Sequence, residues 1–456
     1  MKGRTASGIM LAMLLMGMLT LASNAQRLET QSSTWIVDDD GPAHFSSIQK
    51  AINAASPGDT IYVKAGTYRE PQVTIKKPLQ LIGENKNTTI VDGGGTWVGL
   101  YVQNTRCVTI SGFTVQNSWG LYSWGSQRVT ISENIIFDNG HGIVIGESTH
   151  ITVSKNIVTQ NGAISILLDG SSNSKIYENI FTLNSGDTIW LSHSPNNSIY
   201  GNKIKSNGQG IRLDWSSNNS IYGNDITNNR IGIYYWASSN NSIYSNKIED
   251  NVSGIVLQGY PENFSSSNTF YRNNVTNNEI GVNMEDSSKN IFYHNNFKDN
   301  TQQVIIETSG YSNSWDDGHE GNYWSDYGER YPDAEELDGS GIWDTPYVID
   351  ESNQDNYPLM EAWTPSPPLP RTVDELKTEI EKCWSESEID NQGIVNSLLA
   401  KLNVAQKLAD KGKTHEARSI LEDDFIPQVQ NLSGIHITAE AADILIKSAE
   451  YILSNL

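Results

Sequence analysis

Asn219-Ser220-Ile221-Tyr222-Gly223-Asn224 is followed 22 residues later by Asn241-Ser242-Ile243-Tyr244-Ser245-Asn246, and similar units recur along the chain. The spacings are 22 or 23 residues, apart from one of 27 or 28 between residues 259 and 267. Constant spacing predicts stacked coils, in which equivalent residues lie above one another at the strand separation of about 4.8 Å. A sandwich of β-hairpins would not keep one phase over so many repeats. We therefore expect a mainly β solenoid of parallel strands.

Two series of asparagines occupy fixed positions in these repeats. The first comprises Asn134, Asn156, Asn179, Asn202, Asn224, Asn246, Asn274 and Asn296. The second comprises Asn117, Asn139, Asn161, Asn184, Asn207, Asn229, Asn251, Asn278 and Asn300. Asparagine tolerates left-handed φ at tight bends, and stacked amides can hydrogen-bond to the coils on both sides. We expect both properties at these positions.

The residues between the bends alternate between apolar and polar, which is typical of strands with one buried face. The alternation places four apolar residues on the inner side of their strands, where they should point into the solenoid. They are Ile211, Leu213, Ile221 and Ile226. One outward position next to an inward residue is a tyrosine in several coils, and these rings should form an external stack. They are Tyr177, Tyr200, Tyr222, Tyr244, Tyr271 and Tyr293.

A second outward stripe should follow the second asparagine of each coil. Its members are Tyr122, Trp124, Trp190, Arg212, Asp214, Tyr234 and Trp236, continued by Gln258, Asn283 and Glu285. An extra residue in the coil of Trp190 leaves the register of that residue open. Rings can stack on sugar faces and polar groups can bind sugar hydroxyls, so the stripe predicts a polysaccharide or glycan partner. Aromatic stacking that only rigidifies the sheet is the alternative.

Asp214, Arg212 and Asp187 are candidate catalytic residues if this stripe belongs to an enzyme. A glycoside hydrolase needs two carboxyl groups flanking the scissile bond, and Asp214 and Asp187 could supply them. In a polysaccharide lyase, Arg212 could neutralise a uronate carboxylate or act as the base. Carboxylates are common on solenoid surfaces, so the sequence leaves catalysis open.

Residues 1–25 have the pattern of a secretory signal, with Lys2 and Arg4 ahead of the apolar run Ile9–Leu21. No other long apolar segment follows, so we expect a soluble mature protein without a membrane span, secreted or at the cell surface. Cys107 and Cys383 fall in different expected domains, which argues against a disulfide framework and against a zinc cluster.

The net charge of −22 is unevenly distributed. Residues 311–363 hold 14 acidic residues and one basic residue, giving −13, and residues 372–456 hold 15 and eight, giving −7. In the rest of the chain the numbers of acidic and basic residues are nearly equal. No basic face is therefore evident, and nucleic acid is disfavoured as a partner.

Residues 35–95 should form the N-terminal cap and first coils. Ser46-x-x-Gln49 resembles a capping box at the start of a short helix, Ile48–Ala55. Strands are expected at Thr60–Val63, Val73–Ile75 and Leu79–Ile82.

A family resemblance is carried by particular motifs. Phe45-Ser46-Ser47-Ile48-Gln49-Lys50-Ala51-Ile52 and Pro57-Gly58-Asp59-Thr60-Ile61 resemble the opening of pectin-lyase-like β-helix proteins. The Asn-rich coils of residues 96–310 and the segment Gly321-Asn322-Tyr323-Trp324-Ser325-Asp326-Tyr327 are similar to the NosD-type (CASH) branch of that superfamily. The resemblance implies a right-handed parallel β-helix that associates with polysaccharides. It also leaves open a NosD-like periplasmic accessory protein related to copper, or a structural surface protein.

Copper is disfavoured by the donor residues, although it is not excluded. The histidines do not form a short-spaced cluster of the kind that copper prefers. Those considered are His44, His141, His150, His193, His294 and His319.

Residues 311–363 should cover the C-terminal end of the solenoid. The segment Asp338-Gly339-Ser340-Gly341-Ile342-Trp343-Asp344 combines carboxylates with a glycine-bent backbone, so Asp338 and Asp344 are candidate calcium ligands. It lacks the alternating acids of an EF-hand, and a glycine turn with solvated acids is the alternative.

Residues 364–371 are proline-rich and predict an extended linker. Residues 372–456 then change to a helical period and predict a small all-α bundle. Its helices are expected at Val373–Trp384, Ile394–Lys411, His415–Leu432 and Ala439–Asn455. This tail resembles the FIMAH module at the end of secreted carbohydrate-active proteins.

Overall fold

The computed structural model describes residues 32–96, 98–259, 264–308, 311–364, 371–385 and 387–455. The chain divides into two compact units, one up to Trp363 and the other from Thr364 onward. The expected signal segment, residues 1–25, and residues 365–370 of the expected linker lie outside the described residues. Each unit is described by itself below.

The first unit is a stack of coils, each of which contributes one strand to each of three parallel sheets. Sheet A comprises Thr34–Val37, Thr60–Val63, Leu79–Gly83, Arg106–Ser111, Gln127–Ser132, Thr152–Ser154, Lys175–Tyr177, Ser198–Tyr200, Ser220–Tyr222, Ser242–Tyr244, Thr269–Tyr271 and Ile291–Tyr293. Sheet B comprises Gly66–Arg69, Thr89–Thr96, Thr114–Ser118, Ile135–Phe137, Ile157–Thr159, Ile180–Thr182, Lys203–Lys205, Asp225–Thr227, Lys247–Glu249, Asn274–Thr276, Asn296–Lys298 and Tyr323–Trp324. Sheet C comprises Val73–Ile75, Leu100–Gln103, Leu121–Trp124, Ile143–Gly146, Ile166–Asp169, Asp187–Ser192, Gln209–Asp214, Ile231–Trp236, Ser253–Gln258, Ile280–Glu285 and Gln302–Ile306.

The register places residues of successive coils directly above one another, as the repeat predicts. Ser220 pairs with Ser198 in one neighbouring coil and with Ser242 in the other. The inward residues Ile211 and Ile221 are fully buried in one continuous apolar core. The predicted right-handed parallel β-helix of about 22-residue coils is confirmed.

The predicted tyrosine stack is present on the outside of sheet A. Its six rings lie nearly parallel, with centroids 4.8–5.3 Å apart. The spacing follows from the strand separation, because each ring belongs to the coil after the previous one.

Side-chain amides form hydrogen-bonded ladders at the bends, but the first series is partly wrong. After Asn246 the ladder continues through Asn273, Asn295 and Asn322, not through Asn274 and Asn296. The second ladder runs from Asn139 to Asn300 as predicted, and Ser118 rather than Asn117 precedes it.

Two further ladders were not predicted. One comprises Asn197, Asn219, Asn241, Asn268, Asn290, Asn313 and Asn353, and the other comprises Ser148, Ser171, Ser194, Ser216, Ser238 and Ser265.

The expectation that the asparagines of both series adopt left-handed φ is also wrong, except at Asn117 (φ 53°), which lies just before the ladder residue Ser118. At most bends the residue just before the asparagine does so instead, as with Ser245 (φ 53°) before Asn246 and Arg272 (φ 58°) before Asn273, but this does not hold before Asn313, Asn322 and Asn353. The preceding residue bends the backbone, which turns the asparagine side chain inward where its amide reaches the neighbouring coils. Even Leu183 adopts φ 57° ahead of Asn184.

The N-terminal end is covered by the helix Ile48–Ala54. Its N-cap is Ser47, whose hydroxyl accepts from the main-chain N–H of Lys50. The capping box predicted from Ser46 and Gln49 is therefore wrong, because Lys50 stands where a box needs Glu or Gln. The carboxylate of Glu70 accepts from the free N–H groups of Ile48 and Gln49 at 2.6 and 3.0 Å. A residue from the first coil thus completes the cap.

The acidic segment covers the other end, with a short helix, Tyr327–Arg330, and an antiparallel pair, Tyr347–Asp350 and Asn353–Asp355. Buried aromatic rings close the core, and Trp324 stacks between Phe297 and Tyr347 at 4.5 and 4.1 Å.

Three amide ladders end on carboxylates of this cap. Asn322 donates to Asp355, Asn353 donates to Asp350, and Asn300 reaches Asp326 through Gln303. Amide donors at the end of each ladder thereby find side-chain carboxyl acceptors.

The second unit is helical. Its helices are Val373–Ser385, Gln392–Ala409, Thr414–Ser419, Ile426–Leu432 and Ala439–Asn455, with a π-helical turn at Ile420–Phe425. Leu398, Leu402, Phe425 and Leu445 are buried in a separate apolar core, in line with the predicted bundle. Among the described helices of both units, none is long and apolar enough to cross a membrane.

Candidate ligand-binding face

The predicted stripe lies on the outside of sheet C, where it forms two parallel columns. Column 1 runs Tyr101, Tyr122, Val144, Leu167, Trp190, Arg212, Tyr234, Val256 and Asn283. Column 2 runs Gln103, Trp124, Gly146, Asp169, Ser192, Asp214, Trp236, Gln258 and Glu285. The register that the sequence left open is thereby settled, because Trp190 lies beside Arg212.

Arg212 is enclosed by its neighbours on the face. Its guanidinium lies 4.6 Å from the ring centroid of Trp190 and 5.5 Å from that of Tyr234, in the coils on either side. Its Nε and Nη2 donate to the carboxylate of Asp214 at 3.0 and 2.7 Å, and its Nη1 lies 3.4 Å from Asp187. The indole N–H of Trp190 also donates to Asp214 at 3.0 Å. The stripe residues of these coils therefore form one compact cluster around a neutralised cation.

This packing changes the role expected of two rings. The guanidinium of Arg212 lies between the rings of Trp190 and Tyr234. The facing sides of these two rings are therefore not open to a sugar. The Tyr234 hydroxyl donates to Gln258 at 2.8 Å, and Gln258 in turn donates to Glu285. Burial raises the pKa of Tyr234 to about 12, which keeps its hydroxyl protonated.

The candidate catalytic carboxylates are both engaged by Arg212. Burial raises the pKa of Asp187, against the opposing effect of Arg212. Asp214 is buried and accepts from Trp190 as well as Arg212. The structure therefore brings Asp187, Arg212 and Asp214 together, in an arrangement where they satisfy one another.

Trp124 stands apart from this cluster and lies flat on the coil that follows it. A Cβ at Gly146 would lie 2.2 Å from two carbons of the indole and 2.7 Å from a third, which is the geometry of a ring face placed over the glycine. The coils of Trp124 and Trp190 are three strand spacings apart, about 14 Å, so the structure does not bring Tyr122 and Trp124 into contact with Trp190. The stripe thus has two aromatic centres.

Sequence reasoning missed three aromatic residues on or beside this face. Tyr101 precedes Tyr122 in column 1, in a coil without the asparagine pattern. Trp119 and Trp215 are exposed at the bends beside the strands Leu121–Trp124 and Gln209–Asp214, and Trp215 stacks on His193. No repeat marks Trp119 or Trp215, because each occurs once at its position in the coil.

The expected metal ligands do not gather. Asp344 accepts from the main-chain N–H of Glu335 and from Thr345, and Asp338 is exposed. Within the described ranges, the Asp, Glu, His and Cys side chains that bring three ligand atoms within 4.8 Å of one another are Asp38, Asp39 and Asp40. That set is all oxygen and does not fit copper, which prefers nitrogen and sulfur donors. The calcium expectation at Asp338 and Asp344 gains no support.

Three family models match the chain. Residues 52–231 match "Periplasmic copper-binding protein (NosD)", residues 166–316 match "Right handed beta helix region", and residues 373–454 match "FIMAH domain".

Two curated proteins of Arabidopsis thaliana are similar over short stretches. The first, "Probable pectinesterase/pectinesterase inhibitor 6", is 42% identical over 73 residues, covering 14% of this chain and 13% of that protein. The second, "F-box protein SKIP5", is 37% identical over 83 residues, covering 17% and 30%. The chain therefore spans less than a third of the length of either relative.

Three solved structures are similar to the chain at low sequence identity. The A-module of a mannuronan C-5 epimerase of Azotobacter vinelandii has a TM-score of 0.44 and 18% identity, covering 59% of this chain and 93% of that one. A DFA-IIIase of Arthrobacter chlorophenolicus has a TM-score of 0.45 and 12% identity, covering 62% and 86%. A lacto-N-biosidase of Eubacterium ramulus has a TM-score of 0.48 and 11% identity, covering 68% and 72%. With the stacked sheets and the three family matches, the chain is a right-handed parallel β-helix protein with a C-terminal helical module.

Proposed function

We propose that the outer face of sheet C binds a polysaccharide, in a protein that is secreted or held at the cell surface. The observation that carries this proposal is the placement of Trp124 flat over Gly146. A ring in that position turns one face to the sheet and the other away from it. Flat aromatic surfaces beside polar groups are suited to ligands with both apolar and hydroxyl-bearing sides.

The surroundings of Trp124 suit a sugar with hydroxyl donors. Asp169, in the coil after Gly146, accepts from Ser192 at 3.0 Å through one oxygen and has a second oxygen for a ligand. Further along the face, Trp236 stands beside Asp214 and Gln258 in column 2. Five strand spacings, about 24 Å, separate Trp124 from Trp236. The proposed face is therefore long enough for an extended chain of several sugar units.

Affinity gel electrophoresis on immobilised polysaccharides tests the proposal. We expect Trp124→Ala to bind at least tenfold more weakly than the unchanged protein, a difference of about 1.4 kcal/mol. Trp384→Ala is the matched control, because Trp384 is an exposed tryptophan of the helical unit. Equal retention of Trp124→Ala and the unchanged protein would reject the face as the binding site.

A polysaccharide lyase or glycoside hydrolase is the second candidate. The placement of Asp187 and Asp214 against the same guanidinium favours it, because a glycoside hydrolase needs two carboxyl groups close together, and burial raises the pKa of Asp187. New reducing ends, or unsaturated products, released by the unchanged protein and not by Asp187→Asn would support an enzyme. Binding without product formation supports a binding protein alone.

A further inference from the structure

We infer that the polysaccharide bound by this face is uncharged, lacking carboxylate and sulfate groups. This inference rests on the proposed function and specifies its substrate class. Its physical basis is that the one cation of the face is already neutralised while the rest of the face is acidic.

The guanidinium of Arg212 is occupied along its fork. Nε and Nη2 bind Asp214, Nη1 binds Asp187, and the flat faces of the group lie against Trp190 and Tyr234. An arginine recognises a carboxylate through two parallel N–H donors of this fork. A uronate could use the Nε and Nη2 donors only by displacing Asp214, which is buried in the same cluster. At the outer Nη1 and Nη2 donors it would meet the carboxylate of Asp187. Arg212 is therefore a structural cation that ties three coils together.

The net charge of the sheet C strands also favours an uncharged ligand. These eleven strands carry four acidic residues, Asp169, Asp187, Asp214 and Glu285, and one basic residue, Arg212, giving −3. A polyanion laid along the face would approach several of these carboxylates within the screening length of about 8 Å at physiological salt. Like charges held that close oppose binding, so we do not expect uronans or sulfated glycans to bind this face.

An uncharged sugar meets the same groups favourably. Carboxylates and the Gln258–Glu285 pair accept hydrogen bonds, and each hydroxyl of a neutral sugar can donate one. Hydrogen bonds to charged acceptors are stronger than those between neutral groups. The acidic character of the face thus selects for hydroxyl donors and against anions.

The first test compares uncharged and anionic polymers on the same gels at low and high salt. The uncharged probes are galactomannan and mixed-linkage β-glucan, and the anionic probes are polygalacturonate and alginate. We expect retention by an uncharged probe that is lost in Trp124→Ala, and no retention by the anionic probes. Retention by polygalacturonate or alginate that is lost in Trp124→Ala would overturn the inference and leave the proposed binding face standing. Retention by none of the four would reject the binding face, and this inference with it.

A second test releases the guanidinium. The double variant Asp187→Asn, Asp214→Asn should gain at least tenfold in affinity for polygalacturonate, because Arg212 is then free to bind a uronate. The double variant Asp169→Asn, Glu285→Gln is the control, since it also removes two negative charges from the face and leaves the partners of Arg212 intact. An equal gain in both would attribute discrimination to net charge alone and remove Arg212 from the explanation. No gain in either would overturn the electrostatic argument, provided that circular dichroism shows the folded β-helix.

Discussion

The side-chain oxygen of Asn273 accepts two hydrogen bonds from Asn246 in the preceding coil, one from its main-chain N–H and one from its amide, both at 3.0 Å. The Asn273 amide then donates to Asn295, to the carbonyl of Ile243 and to that of Tyr271. Asn273 is fully buried, and four of these five bonds lie in the interior, while the bond to Tyr271 is partly buried. One asparagine therefore joins three coils, and every amide of the ladder points the same way along the solenoid.

Replacing Asn273 with alanine should destabilise the β-helix strongly. The substitution leaves the N–H and the amide of Asn246 without their acceptor, and each unsatisfied buried group costs about 1–3 kcal/mol. We expect the free energy of unfolding of the first unit to fall by about 3–5 kcal/mol, measured by urea denaturation monitored by tryptophan fluorescence.

The adjacent Asn274 provides the control. Its side chain is exposed at the start of the strand Asn274–Thr276 and accepts a hydrogen bond from Asn296. Asn274→Ala should change the free energy of unfolding by less than about 1 kcal/mol. Equal effects at the two positions would mean that the ladder contributes no more than a surface amide does.

The same pair of residues shows what the sequence can and cannot reveal. The repeat is visible because stacked coils need the same residue types at the same phase, and this predicted the sheets, the core and the tyrosine stack. The ladder residue that follows Asn246 was wrongly predicted because the spacing there is longer. Asn273 and Asn274 are adjacent, and either one fits a step of 27 or 28 residues. The serine ladder was missed because serine is frequent at exposed turns as well, so its period does not stand out.

The binding face was predicted only in outline, for a different reason. The sequence places Trp190, Arg212 and Tyr234 on one face, but it does not say that Arg212 fills the space between the two rings. The flat position of Trp124 depends on the missing side chain of Gly146, one coil away. Such contacts depend on side-chain directions between coils, which a period of 22 residues does not specify.

Asp355 should make stability depend on pH near neutrality. It is a fully buried residue of the C-terminal cap, and burial raises its pKa to about 7 from 3.8 despite hydrogen bonds from Trp324, Asn322 and Tyr357. Between these two values the folded state holds a proton that the unfolded chain has lost. Stability from this group is therefore complete below about pH 4 and is lost as the pH rises through 7, by up to about 4 kcal/mol.

The measurement compares urea midpoints of the unchanged protein and of Asp355→Asn from pH 4.5 to 8.5. Asparagine does not titrate, so the stability of the unchanged protein should fall relative to the variant as the pH increases. Taking the difference cancels the other titrating groups, which both proteins share. Parallel profiles would show that Asp355 keeps one protonation state throughout.

Gly146→Ala should weaken polysaccharide binding without removing any ring. The added Cβ would stand 2.2 Å from Trp124, so the indole has to leave its position over the glycine. We expect a five- to tenfold loss of affinity on the galactomannan or β-glucan gel that retains the unchanged protein, or about 1 kcal/mol. Gly140→Ala is a matched control, because there the added Cβ makes ordinary contact with Trp119 at 3.7 Å. Similar losses in both variants would sever the link between affinity and the position of Trp124.

The two thiols should differ sharply in reactivity. Cys107 is exposed, whereas Cys383 is fully buried in the core of the helical unit, and burial raises the pKa of its thiol to about 12. Only the thiolate attacks a disulfide reagent, so Cys383 should react at least about 100-fold more slowly than Cys107 in the folded protein. Titration with an aromatic disulfide reagent should therefore release one equivalent of the reagent's aromatic thiol at once, from Cys107. A second equivalent should follow as urea unfolds the helical unit and exposes Cys383.

In Cys107→Ser the fast phase should disappear, and the remaining phase should then report the unfolding of that unit alone. A fast reaction of Cys383 in the absence of urea would mean that the helical core opens far more readily than its packing implies.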